Sequence, residues 1–182
     1  MNTDLPIGTF RTPKGILSGL WATQRPLTGK WGSGQVFQRL ESLSNAVGWH
    51  PIDVVFGMQD QIPKRPNLTT IDKDPAVGAT ITADWNDLGR FEDHHFSYGY
   101  WDPPYFATRD EGRMIHYNRL QKCYAEIARV LKSRLAILHP LIYPNLDGWH
   151  RVAVIAVTFG PNKVIRALQV YERDEQQSLE QA

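Results

Sequence analysis

The sequence predicts an α/β domain with a mostly parallel central sheet and a C-terminal antiparallel hairpin, on three observations. Four short β-branched or aromatic runs follow one another between residues 52 and 101, each closed by an acid or a glycine. A long amphipathic helix pattern then separates the last of them from Leu135-Ala136-Ile137-Leu138, a continuous apolar run suited to a central strand. Arg151 to Phe159 and Val164 to Tyr171, finally, are joined through Gly160-Pro161-Asn162, a turn short enough to imply a hairpin.

Length and composition bound the reading. With 182 residues, 42% of them hydrophobic, the chain fills one core and is too short for two ordinary domains. A net charge of +1 excludes a protein that grips nucleic acid through its phosphates alone, so any such contact is local or shared with a partner. The single cysteine, Cys123, excludes an intrachain disulfide and a cysteine-based metal cluster, and its place in a helical apolar stripe makes it core filler. No apolar run approaches the roughly 20 residues that cross a bilayer. Met1 to Phe10 lacks the basic start and apolar middle of a secretory signal, so a soluble, cytoplasmic protein is expected.

Taken in order, residues 1–32 read as an irregular lead-in, because Pro6, Pro13 and Pro26 with Gly8, Gly15, Gly19 and Gly29 leave no room for a long regular element. The domain proper spans 33–172. Ser33 offers an N-cap, and Val36, Phe37, Leu40 and Leu43 recur at helical spacing from about Gly34 to Asn45, with Gly48 as a stop. Strands follow at Ile52 to Phe56, Leu68 to Ile71, Ala79 to Thr82 and Phe96 to Trp101. They are closed in turn by Gly57, Asp72, Asp84 and Asp102. Met114, Tyr117, Leu120, Tyr124, Ile127 and Leu131 mark the second helix, expected to end near Lys132 and Ser133. Pro140, Pro144 and Gly148 break the path before the hairpin, and residues 173–182 form a polar tail.

Two features carry chemistry. In an open parallel sheet the carboxyl ends of the strands line one edge, where ligands bind, so Asp72, Asp84 and Asp102 are placed to face one crevice. Taken singly, each acid is explained as well by the liking of Asp for turns. The second feature is Asp102-Pro103-Pro104-Tyr105. Its prolines fix two φ angles and remove two donors, leaving carbonyl oxygens as acceptors beside a carboxylate and an aromatic ring. Average residue usage gives this tetrapeptide by chance in roughly one chain of this length in a thousand. Other groupings point elsewhere. His94-His95 beside Glu92 and Asp93 lacks metal-ligand spacing and reads as a solvated turn. Gly32-Ser33-Gly34 lacks the lysine-serine or lysine-threonine pair of a phosphate loop and reads as the helix entry. His116, His139 and His150 each read first as a partly buried structural histidine, with the crevice as the alternative, and only His139, at a strand's end, is offered as a substrate contact.

From Pro51 to Tyr171 the series of strand ends, followed by Asp102-Pro103-Pro104-Tyr105, a helix, a strand and a hairpin, resembles a class I S-adenosylmethionine-dependent methyltransferase. The Asp-Pro-Pro-Tyr turn is similar to that of the branch acting on exocyclic amino groups, adenine or cytosine in DNA or RNA. The resemblance implies a Rossmann-like fold with S-adenosylmethionine as cofactor and no metal. It places Asp72 on the cofactor's ribose hydroxyls, with Asp74 a second choice, and Asp84 on its adenine amino group. Trp85 would then pack on that ring, with Phe56 and Gly57 beside the methionine portion. Catalysis falls to Asp102, Pro103, Pro104 and Tyr105, with Phe106 and His139 toward the substrate. Val55-Phe56-Gly57-Met58-Gln59-Asp60 departs from the family's glycine-rich first loop in holding a single glycine, and the segment from Gln61 to Pro66 is short for a crossover helix. With no length left for a target-recognition domain, the expected partners are nucleic acid and a protein that selects the target, with no membrane. Two alternatives stay open: a catalytically weak methyltransferase-like subunit that binds nucleic acid or a protein, and methyl transfer to a small molecule or a protein amide.

Overall fold

The computed structural model describes residues 7–11, 17–23, 33–57, 62–103, 117–140, 142–159 and 164–174. Nine strands among them form one sheet. They are β1 (Ile7–Arg11), β2 (Leu17–Thr23), β3 (Val54–Phe56), β4 (Thr69–Asp72), β5 (Ile81–Thr82), β6 (Phe96–Trp101), β7 (Leu131–His139), β8 (Trp149–Phe159) and β9 (Val164–Arg173). Helix α1 (Ser33–Val47) precedes β3, and α2 (Tyr117–Arg129) joins β6 to β7. Across the sheet the order is β1-β2-β8-β9-β7-β6-β3-β4-β5.

From β5 inward, the strands β3 to β8 take the order third, second, first, fourth, fifth, sixth, the arrangement of a doubly wound α/β fold. Strand β9 is inserted antiparallel between β7 and β8. The expected mostly parallel sheet with a C-terminal hairpin is therefore observed, but the hairpin is interior. It is flanked by β7 on one side and by β2, parallel to β8, on the other.

That last pairing corrects the reading of residues 1–32 as an irregular lead-in. The prolines there flank the strands: Ile7–Arg11 lies between Pro6 and Pro13, and Leu17–Thr23 between Gly15 and Pro26. Gly8 sits inside the first strand and Gly19 inside the second, opposite Ile155. Strand β8 needs a neighbour on its outer side, and tertiary pairing outweighed a local composition that disfavours length but permits five to seven residues. Boundaries also move, most clearly at β7 and β9. Strand β7 starts at Leu131, where the second helix was expected to continue, and β9 runs through Arg173 into the expected tail.

The sheet buries both faces. On one, Val36, Phe37, Leu40 and Leu43 of α1 pack on Val55, Tyr98, Tyr100, Leu138, Leu168 and Val170. On the other, Leu120, Cys123, Tyr124 and Ile127 of α2 pack on Phe56, Ile71, Trp101, Leu135 and Ile137. Strand β6 runs through the centre with five of its six residues buried, as a strand covered on both sides must be. At Gly99 the missing side chain makes room for Leu131, whose methyl carbons lie 2.9 and 3.0 Å from where a Cβ would stand.

At the amino edge, Asp53 fastens β3 to β6. Its two carboxylate oxygens accept from Ser97 N and Tyr98 N at 2.8 and 2.9 Å, while Asp53 N donates to Tyr98 O at 3.1 Å. The connections between β3, β4, β5 and β6 carry no α-helix among the described residues, only a 3-10 turn at Pro75–Val77. That turn is capped by Asp74, whose Oδ1 accepts from Ala76 N, and by Gly78 at φ +69°. His94 takes φ +59° in the turn that leads into β6, which fits the expected turn at His94-His95.

Candidate functional site

In a doubly wound sheet the ligand crevice opens outside the carboxyl ends of the strands, where the order reverses. Here that point lies between β3 and β6. Strand β3 runs into Gly57, and the next strand over, β6, runs into Asp102. Gly57 has φ +87°, and a Cβ there would lie 3.2 Å from the Trp85 ring and 3.5 Å from the Asp102 carbonyl oxygen. Two donors, Gly57 N and Trp85 Nε1, share the Ile71 carbonyl at 3.0 and 3.2 Å. Backbone hydrogen bonding thus brings the Trp85 indole onto the glycine.

The other acids follow along the same edge. Asp72 ends β4, its carbonyl accepts from Ala83 N, and its Oδ1 accepts from Asp74 N at 3.0 Å. Asp84 lies just beyond β5, with Oδ1 accepting from Asn86 N and Asn86 Nδ2 at 2.9 and 2.8 Å. Both carboxylates thereby order their own turns, in the manner of Asx turns. The loop holding Asp84 is clamped by a polar stripe of α2 absent from the sequence reading. Cys123 Sγ donates to Asn86 Oδ1 at 3.1 Å, and Glu126 accepts from Leu88 N at 3.3 Å. The Arg129 guanidinium donates to Leu88 O and Phe91 O, both at 3.1 Å. Cys123 is buried as expected, but it also holds this loop.

Asp102 is 6% exposed and Pro103 is buried. Beneath them runs a column of aromatic rings: Trp85 edge-on to Trp101 at 6.2 Å, Trp101 to Tyr143 at 5.9 Å, and Tyr143 to Tyr124 at 5.3 Å. Tyr143 is fixed by polar contacts as well. Its N–H donates to Gln169 Oε1 at 2.9 Å, and its carbonyl accepts from Tyr171 Oη at 2.7 Å. The segment after β7 is thereby folded back under the crevice.

Among the expected site residues, Gly57, Trp85 and Asp102 come together in direct proximity, and Asp72 and Asp84 share their edge. The Phe56 side chain points into the α2-face core and is fully buried, so only its backbone faces the edge. His139 ends β7 but is buried against Tyr143, ring centroids 5.2 Å apart. His150 lies at the opposite edge, where its Nδ1 meets Asp174 Oδ1 at 2.6 Å; it starts a strand rather than ending one, which leaves its structural reading and removes the crevice. Pro104, Tyr105, Phe106 and His116 lie outside the described residues.

Sequence reasoning missed Arg166. It stands on β9 opposite Val157, two residues beyond Leu168, the partner of Leu138. Burial lowers its pKa and the charge of Asp102 works against that. Burial, followed by the charge of Asp102, raises the Tyr100 phenol well above its ordinary value. No signal local to Arg166 could have shown this, since β9 returns to the site only through its insertion between β7 and β8.

No protein-family model matches the chain, and no curated protein matches it. Among solved structures it is similar to the candidate methylase HI0767 of Haemophilus influenzae, at 15% identity and TM-score 0.47, over 78% of this chain and 98% of that one. It is also similar to the candidate methyltransferase yhhF of Escherichia coli, at 13% identity and TM-score 0.47, over 92% and 99%. Likenesses this distant carry no weight on activity; the strand order itself establishes the fold class. Among the described residues no helix is long and apolar enough to cross a membrane, and no group of three His, Cys, Asp or Glu is placed to hold a metal ion.

Proposed function

We propose that this chain is an S-adenosylmethionine-dependent methyltransferase acting on the exocyclic amino group of a nucleic-acid base, adenine or cytosine in DNA or RNA. The observation that carries the reading is the meeting of Gly57 with a buried Asp102 at the point where the strand order reverses. The residues present fit the cofactor. Gly57 has no side chain on the crevice side, Asp72 presents a carboxylate suited to a ribose diol, and Trp85 is a partly exposed apolar wall. When bound, the cofactor supplies an electrophilic methyl group on sulfur.

The chain's own task is to prepare the acceptor. An aromatic amine is a poor nucleophile because its lone pair is delocalised into the ring. Accepting one N–H at the Asp102 carboxylate and the other at the Pro103 carbonyl localises that pair and stabilises the positive charge that grows on nitrogen. Tyr105 stacks on the base, and the rest is positioning of two bound reactants. A base within a duplex has first to be flipped out, at a cost of a few kcal/mol. Near-neutral overall charge leaves target choice to a partner or to a single-stranded substrate.

A second reading is a methyltransferase-like subunit of weak or no activity, and a specific contact favours it. The Trp85 indole lies against Gly57, narrowing the approach that the single glycine of this loop provides.

Calorimetric titration with S-adenosylmethionine and with its demethylated product tests both. Micromolar binding, weakened at least tenfold in Asp72→Ala and Asp84→Ala, is expected. Transfer of labelled methyl groups to adenine- or cytosine-containing oligonucleotides then identifies the acceptor. Absence of binding at millimolar ligand would remove the stand-alone enzyme and leave the subunit.

A further inference from the structure

Asp102 closes a fully buried strand end and is itself 6% exposed. A carboxylate so placed is costly unless a nearby group compensates its charge. Strand register indicates which group that is. Trp101, one residue before Asp102, pairs with Ile137 on β7, and Ile137 pairs with Gln169 on β9. Strand β7 ends at His139, opposite Ala167, so Arg166 is the first β9 residue to pass the end of the intervening strand. Side chains alternate along a strand. Tyr100, Leu138, Leu168 and Val157 belong to the core cluster under α1, which sets Arg166, two residues from Leu168 and opposite Val157, on that face. Asp102, two residues after Tyr100, emerges on the same side. Its companion at the end of β7, His139, is turned to the other face against Tyr143.

We infer that Arg166 is a positioning residue, whose charge, carried past the end of β7, holds Asp102 as a carboxylate. The ionisation of both Tyr100 and Arg166 registers the charge of Asp102, in agreement with that placement. The role in methyl transfer rests on the proposed function, whereas the coupling of the two side chains does not. If the Asp102 carboxylate accepts an amino N–H as proposed, Arg166 keeps it in the accepting, deprotonated form without touching the substrate.

The test is a carbon-13 NMR titration of the Asp102 carboxyl in the full chain, assigned by its loss in Asp102→Asn, and repeated in Arg166→Gln and Arg166→Lys. Loss of the guanidinium should raise the titration midpoint of Asp102 by a unit or more, a tenfold or larger change in proton affinity, and lysine should restore at least half of that shift. An unchanged midpoint in Arg166→Gln overturns the inference, whatever the activity of the protein. Should Arg166→Gln not fold, Arg166→Met and a double-mutant cycle of thermal unfolding on Asp102→Asn and Arg166→Met take its place, and additive effects would overturn it equally. Where wild-type methyl transfer is measurable, the acid limb of its pH profile should move up by the same amount in Arg166→Gln, with kcat lowered more than KM is raised. A coupling seen by NMR in a protein that neither binds nor uses S-adenosylmethionine would refute the proposed function and leave the pair intact.

Discussion

Along the amino edge of the sheet, charged side chains close onto backbone or onto an opposite charge. Asp53 accepts two amides of β6, Arg129 meets Glu126, Asp93 and two loop carbonyls, and Arg173 donates to Ala128 O and Leu131 O with its guanidinium over the Trp149 ring. Along the carboxyl edge, Asp72 and Asp84 accept hydrogen bonds within the short turns that carry them, and Asp102 is set into the sheet beside a glycine. The same residue types thus do different work at the two ends of the same strands. At one end their hydrogen-bonding capacity goes into fixing strands and loops; at the other, acids are carried on preformed turns facing a crevice. Substitutions at the first edge should therefore cost stability, and at the second, function.

The sharpest way to break that contrast is at Asp102. In Asp102→Ala, methyl transfer should fall by a factor of about 10²–10³ or more while cofactor affinity stays within about tenfold, as expected for an interaction made chiefly in the transition state. Equal loss of cofactor binding would show that Asp102 serves the cofactor instead. The counterpart is Asp53→Ala, which strips charge-assisted acceptors from Ser97 N and Tyr98 N and should cost about 2–4 kcal/mol by urea unfolding. Activity per folded molecule should stay as in the wild type; an activity loss without a stability loss would erase the distinction between the edges.

Gly57→Ala sharpens the comparison by testing backbone at the functional edge. Its φ of +87° and the 3.2 Å approach of Trp85 both oppose a Cβ, so about 1–2 kcal/mol of stability should be lost. Weaker binding of S-adenosylmethionine should accompany it, and an unchanged affinity would place the cofactor's path away from this glycine. Arg129→Met should cost about 1–2 kcal/mol. Hydrogen exchange should quicken in residues 84–91 and stay unchanged around Gly57. The smallest effect concerns pH. Burial, followed by the charge of Arg173, holds the pKa of His94 below 6.5, so the folded state binds fewer protons there than the unfolded chain. Its contribution is complete above pH 6.5 and declines as pH falls below that value. His94→Asn, a residue that tolerates φ +59°, should flatten the pH dependence of the urea midpoint between pH 7.5 and 5.

How the sequence could be read depended on how local each signal was. The periods of α1, α2 and the central strands were legible because a face buried against the sheet imposes them within a few residues, and β6 was bounded correctly from its aromatic run alone. The ends of β3, β4 and β6 at Gly57, Asp72 and Asp102 were legible for a similar reason, since turn residues announce themselves next to the strands they close. Strands β1 and β2 were not, because among prolines and glycines only a pairing partner more than a hundred residues away, β8, makes a strand of Leu17–Thr23. Nor could any run of residues disclose the clamp of Cys123, Glu126 and Arg129 on the Asp84 loop, or the approach of Arg166 to Asp102. Each joins groups 37 or more residues apart in the chain, and it exists because tertiary packing sets which distant groups meet. By itself, then, the sequence determined the elements and the acids at their ends, through hydrophobic period and turn chemistry that act over a few residues. Tertiary structure alone decided which of those acids stand at the reversal point, what packs against Gly57 and which cation faces Asp102, because these follow from long-range pairing across the sheet.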